Sequence, residues 1–297
     1  MTSIKKKVVI SVDRSKCLRC GSCEDVCPSK VFTWSDDDVL NVHNPGRCIG
    51  CGHCVAVCER AAFKHSELPV ERFVDISDSE QQLNAETLNK LFMERRSVRH
   101  FKSTLPTRKQ IETLIDSARY APTSTNSQNV RFMLFYGRDK VNALAEQTAK
   151  YYIRLGHRLA NPLMRLGIGL TVGFKMANAY RFRMPSIVEM FEKTLAGEDR
   201  LFYNAPCVAV LFASGLPYLA SSSCNLAAME IMLAAPSHGL GTCINGYALT
   251  AMIRDNKIRE SLGITSGYTP GAVIAMGVPV RSFCKIPPRN KRRIIWT

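Results

Sequence analysis

At 297 residues the chain has room for about two domains, and its 46% hydrophobic and 22% charged residues place it among ordinary soluble globular proteins. The charge is strongly positive, 40 Lys plus Arg against 25 Asp plus Glu, but no helix-turn-helix, zinc-finger or RNP pattern accompanies it, so nucleic acid is not the expected partner. The apolar segment from Val8 to Val12 stops at Asp13 and Arg14, and Leu163 to Ala177 is broken by Arg165 and Lys175, so neither a secretory signal nor a membrane span is expected and the location read from the sequence is cytoplasmic.

The first unit is expected over residues 1–66. Lys7 to Val12 alternates and is rich in Val and Ile, which predicts a short strand; Val39 to Val42 predicts part of a second hairpin, and Val55 to Phe63 the start of a short helix. Among them stand two runs of equally spaced cysteines: Cys17, Cys20, Cys23 and Cys27, closed by Pro28, then Cys48, Cys51, Cys54 and Cys58. Thiolates are soft ligands, and this spacing gathers several sulfurs around one compact metal centre. Zinc also takes C-x-x-C pairs, but as two pairs across a longer loop. A disulfide framework needs an oxidising compartment, and nothing in the sequence points to one. The runs resemble those of bacterial ferredoxins with two [4Fe–4S] clusters, in which the fourth cysteine of each run serves the other run's cluster. That resemblance implies Cys17, Cys20, Cys23 and Cys58 around one cluster and Cys48, Cys51, Cys54 and Cys27 around the other. So short a unit buries little core and depends on its clusters. Glu59 stands where such ferredoxins often carry a proline, a position that shapes the turn and does not ligate iron. Residues 67–83, with Asp75, Asp78, Glu80, Gln81 and Gln82, read as a polar linker.

The second unit is expected over residues 84–297. Asn84 is the expected N-cap of a helix with Leu88, Leu91 and Phe92 on one face. Thr107 and Gln110 make a capping box ahead of Ile111, Leu114, Ile115 and Ala118, spaced for an amphipathic helix. Val130 to Tyr136 predicts a strand and Asp139 the start of a helix. After Pro206, the apolar run from Cys207 to Ala213 suits a buried strand. Ser223 is the expected cap of a helix from Cys224 to Ala235, ended by Pro236 and Gly239. A strand over Thr242 to Asn245, a helix over Thr250 to Leu262 and a strand over Ala272 to Val278 follow, then a basic tail with Lys285, Arg289, Lys291, Arg292 and Arg293. Strands separated by helices indicate an α/β or α+β layer.

Four stretches of this unit carry chemistry. Arg95-Arg96-Ser97-Val98-Arg99-His100-Phe101 follows a helix, and alone would be a solvated basic face. Ala121-Pro122-Thr123-Ser124-Thr125-Asn126-Ser127-Gln128 alone would be a polar loop. Leu201-Phe202-Tyr203-Asn204-Ala205-Pro206 leads into a strand, and His238-Gly239-Leu240-Gly241-Thr242-Cys243 closes a long apolar helix. In this order and at these intervals they resemble the nitroreductase family of FMN-dependent oxidoreductases, over roughly residues 84–297. With the cysteine runs in front, the whole chain is similar to ferredoxin–nitroreductase fusions.

The resemblance implies an α+β fold, a nitroreductase-like mixed sheet with surrounding helices preceded by a small ferredoxin-like domain. It implies a homodimer with FMN at each of two interface sites. Arg95, Arg96, Ser97 and Arg99 would hold the phosphate, ribityl chain or pyrimidine edge, which suits planar guanidinium groups. Thr123, Ser124 and Asn126 would reach the flavin from the other subunit, Asn245, Gly246 and Tyr247 would bring backbone near N5, and Arg289 or Lys291 would close on the phosphate. The sequence departs from the family after Gln128, where Asn129 and Val130 replace a common Pro-Trp. The variable stretch 151–200 would form a lid, with Phe174, Tyr180, Phe182, Met184 and Phe191 as an apolar cover of the substrate pocket.

No Ser–His–Asp or metalloprotease pattern calls for a covalent nucleophile, so chemistry is expected at FMN N5. The clusters would relay single electrons from an external ferredoxin or other low-potential donor to FMN, which reduces a small organic acceptor: a nitroaromatic, quinone or activated alkene. No G-x-G-x-x-G follows a strand, so NAD(P)H would act only as a transient donor over the flavin. The alternatives are an electron-transfer or flavin-handling module without a small-molecule substrate, and a nucleic-acid-binding redox sensor. Cys207, Cys224, Cys243 and Cys284 are expected to be inert. His53 lies inside a run already supplied with four sulfurs and is not expected to ligate.

Overall fold

Two short antiparallel ribbons carry the N-terminal unit. In one, β1 (Ile10–Val12) pairs with β4 (Phe63–His65); in the other, β2 (Phe32–Trp34) pairs with β3 (Leu40–Val42). One-turn helices α1 (Ser22–Asp25) and α2 (His53–Ala56) follow the starts of the two cysteine runs. Ile10, Val31, Phe32, Leu40, Val55 and Phe63 form the core, together with Cys23, Cys27 and Cys54. The helix expected from Val55 to Phe63 is thus earlier and shorter, because Phe63 is drawn into the β1 pairing.

The computed structural model describes residues 8–76, 84–163, 166–167, 170 and 173–297, with backbone alone over 174–181. It divides into two compact units, the N-terminal one including Thr125–Ser127. The first part of the expected linker is attached to the N-terminal unit, where Val70 and Phe73 pack on the core. Its remainder, 77–83, lies outside the described residues.

In the second unit, helix α3 (Ala85–Glu94) starts where Asn84 Oδ1 accepts from the Thr87 N–H, and α4 (Arg108–Asp116) starts on the Thr107–Gln110 capping box. The sheet then assembles from β5 (Arg131–Tyr136), β6 (Cys207–Ser214), β7 (Gly241–Ile244) and β8 (Tyr268–Gly277), in the order β5-β6-β8-β7. These pairings are antiparallel; a parallel bridge, Ser97 with Thr242, gives the edge its mixed character.

Both faces of the sheet are buried, which is why its strands read as unbroken apolar runs. Val208, Val210, Val273 and Ala275 face α5 (Arg138–Ala160), α6 (Phe174–Leu195) and α8 (Gly246–Arg254). Ala209, Leu211, Ala272, Ile274 and Met276 face α4 and α7 (Pro217–Ala234). The alternation along β6 and β8 is the two-residue period of a strand. A Cβ on Gly271 would stand 2.4 Å from Cys224 Cβ, so glycine there lets α7 lie close on β8.

Two helix expectations are corrected. Helix α7 begins at Pro217, a favoured first-turn residue, so Ser223 is not its cap but an interior residue whose hydroxyl donates to the Leu219 carbonyl at 3.0 Å. The helix expected over Thr250 to Leu262 is instead α8 and α9 (Asn256–Ser261). Asp255 breaks it with an extended backbone and caps α9, its Oδ1 accepting from the Lys257 N–H at 3.0 Å. Among the described residues no helix is long and apolar enough to cross a membrane.

Candidate functional site

The two cysteine runs fold as copies. Arg19 and Gly50, Gly21 and Gly52, and Lys30 and Ala61 hold matching places in the repeats, with φ of 56° and 64°, 77° and 75°, 46° and 48°. These left-handed turns fold each run into a tight loop, and the third cysteine of each falls in the one-turn helix that follows. Cys23, Cys27 and Cys54 are buried, Cys20 is exposed, and Cys17, Cys48, Cys51 and Cys58 are half-buried; none is in a disulfide.

Backbone N–H groups point at sulfur. Val31 donates to Cys27 Sγ at 3.5 Å, Gly50 to Cys48 Sγ at 3.4 Å and Ala62 to Cys58 Sγ at 3.3 Å. Such donors favour a negatively charged sulfur, which is what an iron-bound thiolate is. Among the described residues no three His, Cys, Asp or Glu side chains gather to hold a single metal ion; the fit to a cluster rests on the repeated N–H to sulfur geometry. In the metal-free chain, burial pushes the Cys23 thiol up to about 11 and the Cys54 thiol up to about 12. Cys20 is held below its ordinary value by its hydrogen bond with Ser22. An iron–sulfur cluster held by these thiols would have to displace their protons.

The second constellation begins where α3 ends. The chain runs on from Arg95 and is stitched to the sheet at two points. Val98 N–H donates to Thr242 O at 2.9 Å; Lys102 N–H donates to Val278 O at 2.8 Å and Val280 N–H to His100 O at 3.0 Å. A Cβ on Gly241 would meet Val98 Cγ2 at 2.5 Å and Pro279 Cγ at 2.9 Å, so glycine is needed for this approach.

The stitched segment lines a cavity of about 500 Å³ with Arg95, Arg96, Ser97 and Arg99, facing Arg281, Phe283 and Arg289. Among the described residues no carboxylate lines it. Arg96 closes α3 by donating from Nη1 to the carbonyls of Met93 and Arg95, while its Nε is buried without a partner. A buried N–H among five arginines calls for an anionic acceptor, and a phosphate meets that need. Of the two tail residues expected here, Arg289 lines the cavity; Lys291 is exposed and does not.

Arg99 also lines a second, larger cavity of about 1430 Å³, whose walls include Tyr152, Met184, Tyr203, Asn245, Gly246 and Tyr247. Asn245 is buried: its Nδ2 donates to Leu201 O at 2.7 Å and its Oδ1 caps α8 by accepting from Ala248 N–H at 2.9 Å. The Asn245 side chain thus fixes the turn, leaving the first amides of α8, Gly246 and Tyr247, as donors without an intrahelical partner. Leu201 is itself held by buried Asp199, which accepts from the N–H of Leu201, Phe202 and Asn204 at 3.1, 2.7 and 3.0 Å and pairs with Arg138 at 3.1 Å. Burial pushes the Cys243 thiol up, opposed by the charge of Arg99.

Of the expected lid side chains, Met184 lines this cavity. Phe191 is instead in the core, stacked on Tyr152 with ring centroids 4.7 Å apart, and Phe182 is 81% exposed. The side chains of Phe174 and Tyr180 lie outside the described residues.

Thr123, Ser124 and Asn126 line neither cavity. Thr123 Oγ1 accepts from Gln128 N–H at 2.9 Å and Ser124 N–H donates to Ser223 Oγ at 3.3 Å. Thr125, Asn126 and Gln128 all have positive φ, a strained backbone that the surrounding bonds must hold. Asn126 Nδ2 donates to the carbonyls of Ile49 and Gly50 at 3.3 and 2.9 Å.

Sequence reasoning missed Arg281 and Phe283 in the arginine cavity and His65 beside Cys48. The signal for the first pair was their place just beyond the last apolar strand, at the edge where Phe101 bridges Pro279. For His65 no local signal existed.

The sequence model described as the nitroreductase family matches residues 92–278, more than half of the chain, and one described as a 4Fe-4S dicluster domain matches residues 9–59. A curated protein named as a probable ferredoxin, from Thermoplasma acidophilum, is 37% identical over 43 residues; the match takes in 14% of this chain and spans 60% of that protein. A nitroreductase with bound FMN from Bacteroides fragilis superposes with a TM-score of 0.52 at 17% identity, covering 71% of this chain and 97% of the other, and so shares the fold. A nitroreductase with bound FMN from Desulfitobacterium hafniense gives a TM-score of 0.49 at 23% identity, covering 73% and 100%.

Proposed function

This chain belongs to the nitroreductase family and carries a 4Fe-4S dicluster domain at its N-terminal end, and from that premise we propose that it is an FMN-dependent oxidoreductase fed by two [4Fe–4S] clusters. The observation that carries the proposal is the unpartnered Nε of Arg96 in a cavity that five arginines line, with no carboxylate among the described residues there. FMN, once bound, supplies two-electron reduction at N5 and exchange of single electrons with iron–sulfur clusters.

The chain's own residues do the rest. Arg96, with Arg95, Arg99, Arg281 and Arg289, neutralises and orients the phosphate, and Ser97 adds a hydroxyl. Arg99 spans the two cavities and directs the flavin towards the larger one. The amides of Gly246 and Tyr247 are offered to the ring edge, with Asn245 holding their helix in place. Tyr152, Tyr247 and Met184 present an apolar wall to a planar acceptor, a nitroaromatic, quinone or activated alkene.

In the N-terminal unit Cys17, Cys20, Cys23 and Cys58 hold one cluster and Cys48, Cys51, Cys54 and Cys27 the other. They pass single electrons from a low-potential donor such as reduced ferredoxin, and NAD(P)H serves at most as a transient donor. The active form is a homodimer, in which the loop of Thr123, Ser124 and Asn126 reaches the other subunit's flavin. Exposed Leu226 and Met229 on α7 support a second copy covering that helix.

Anaerobically purified protein is expected to contain FMN, iron and acid-labile sulfide together, and to reduce nitroaromatics or quinones with a low-potential donor. Turnover left unchanged with every donor by Cys17→Ser plus Cys48→Ser would refute the relay. Protein that carries both cofactors but never turns over would favour a pure electron-transfer module.

A further inference from the structure

We propose that His65 is a positioning residue for one cluster alone: by donating its Nε2–H to the sulfur of Cys48, it raises the reduction potential of the cluster that Cys48 holds. The inference rests on the cluster reading above and concerns a residue which that reading does not use.

His65 ends β4 and is 5% exposed. Its Nε2 lies 3.6 Å from Cys48 Sγ. The other ring nitrogen settles the tautomer. Glu67 N–H donates to Nδ1 at 3.2 Å, so Nδ1 carries no hydrogen, the ring is neutral, and its one N–H is on Nε2. That N–H faces sulfur. Gly50 N–H reaches the same sulfur at 3.4 Å, so Cys48 accepts from both a backbone and a side-chain donor.

The other repeat has no equivalent. Trp34 ends β2 as His65 ends β4, and Cys17, the counterpart of Cys48, accepts no hydrogen bond among the described residues. One pair of backbone donors to sulfur is shared between the repeats, since Val31 serves Cys27 as Ala62 serves Cys58, whereas Gly50 serves Cys48 alone and Ser22 meets Cys20 in the other run. His65 is therefore a side-chain difference laid on a near-symmetric scaffold.

When a cluster takes one electron from a low-potential donor, its charge becomes one unit more negative and part of that charge falls on the thiolate sulfurs. No proton need move. A fixed N–H aimed at one of those sulfurs stabilises the reduced form more than the oxidised form, so the potential rises. Because the histidine donor is present in one run and absent from the other, its effect is confined to one cluster and makes the two electron-accepting steps unequal.

The test is a potentiometric titration of the full-length protein with dithionite, following the reduced clusters by electron paramagnetic resonance after iron and sulfide have been measured. His65→Leu and His65→Phe are each expected to move one of the two one-electron waves to lower potential and leave the other in place; waves that coincide in the wild type separate. His65→Gln keeps an N–H donor and is expected to lie nearer the wild type than either apolar variant. The proposal is overturned if both waves move together, if neither moves, if His65→Gln behaves as His65→Leu does, or if both apolar variants fail to hold their iron. Failure of the cluster reading itself looks different: wild-type protein would lack acid-labile sulfide and a reduced-cluster signal before any variant is compared.

Discussion

Replacing Arg96 by lysine tests the anion site most directly. Arg96 Nη1 donates to the carbonyls of Met93 and Arg95, the latter at 2.7 Å, and its Nε is buried and free. Lysine keeps the charge beside the end of α3 but removes the planar fork, and with it the Nε–H. One charge-assisted hydrogen bond contributes about 1.5–3 kcal/mol, and about 1.4 kcal/mol is a factor of ten, so Kd for FMN should rise roughly 10- to 100-fold. The assay is fluorescence titration of deflavinated protein with FMN and, in parallel, with riboflavin, which lacks the phosphate. The loss should be confined to FMN, and the melting temperature should change little, because α3 keeps a cation at its end. FMN affinity within twofold of wild type, or an equal loss for riboflavin, would show that Nε is not aimed at the phosphate.

Asp199→Ala strands the buried N–H groups of Leu201 and Phe202 and takes from Arg138 its carboxylate partner, leaving it its hydrogen bonds to Ala205 O, Asn142 and Asn204. Arg138 keeps 30% exposure, so the cost is put at about 3 kcal/mol, or roughly 6–12 °C in melting temperature by calorimetry; a change under two degrees refutes the anchoring role. Gly241→Ala drives a methyl into Val98 and Pro279 and should destabilise by about 1–3 kcal/mol while weakening FMN binding, both read in one denaturation and titration series. Burial pushes the thiols of Cys207 and Cys224 up to about 12 and raises that of Cys243, so all three are protonated at pH 8, whereas Cys284 is exposed. With its clusters loaded, native protein treated with iodoacetamide at pH 8 should therefore be alkylated at Cys284 and spared at the other three, as mass spectrometry of the digest will show.

Much of the second unit's layout could be read locally. The Thr107–Gln110 capping box and the run from Cys207 are short-range signals, and α4 and β6 follow them. The misreadings have local causes too. Ser223 has a capping side chain, but Pro217 starts the helix about two turns earlier, and the hydroxyl turns back to Leu219. Asp255 lies inside an apolar-periodic stretch, yet its carboxylate serves a new helix start and pairs with Arg154. Phe191 looked like a pocket aromatic by composition; packing between Tyr152 and Tyr247 places it in the core.

The cysteine spacing by itself determined the type of the N-terminal domain, because ligands within one short loop are set by chain geometry alone. The order of the arginine, polar-loop and glycine segments likewise determined the family. Only the tertiary structure decided which residues meet. Arg281 joins Arg96 through the pairing of Val280 with His100, far apart in sequence, and His65 reaches Cys48 because β4 returns to β1. Such contacts depend on strand pairing and close packing across the chain, so no periodicity or spacing within a window could have announced them.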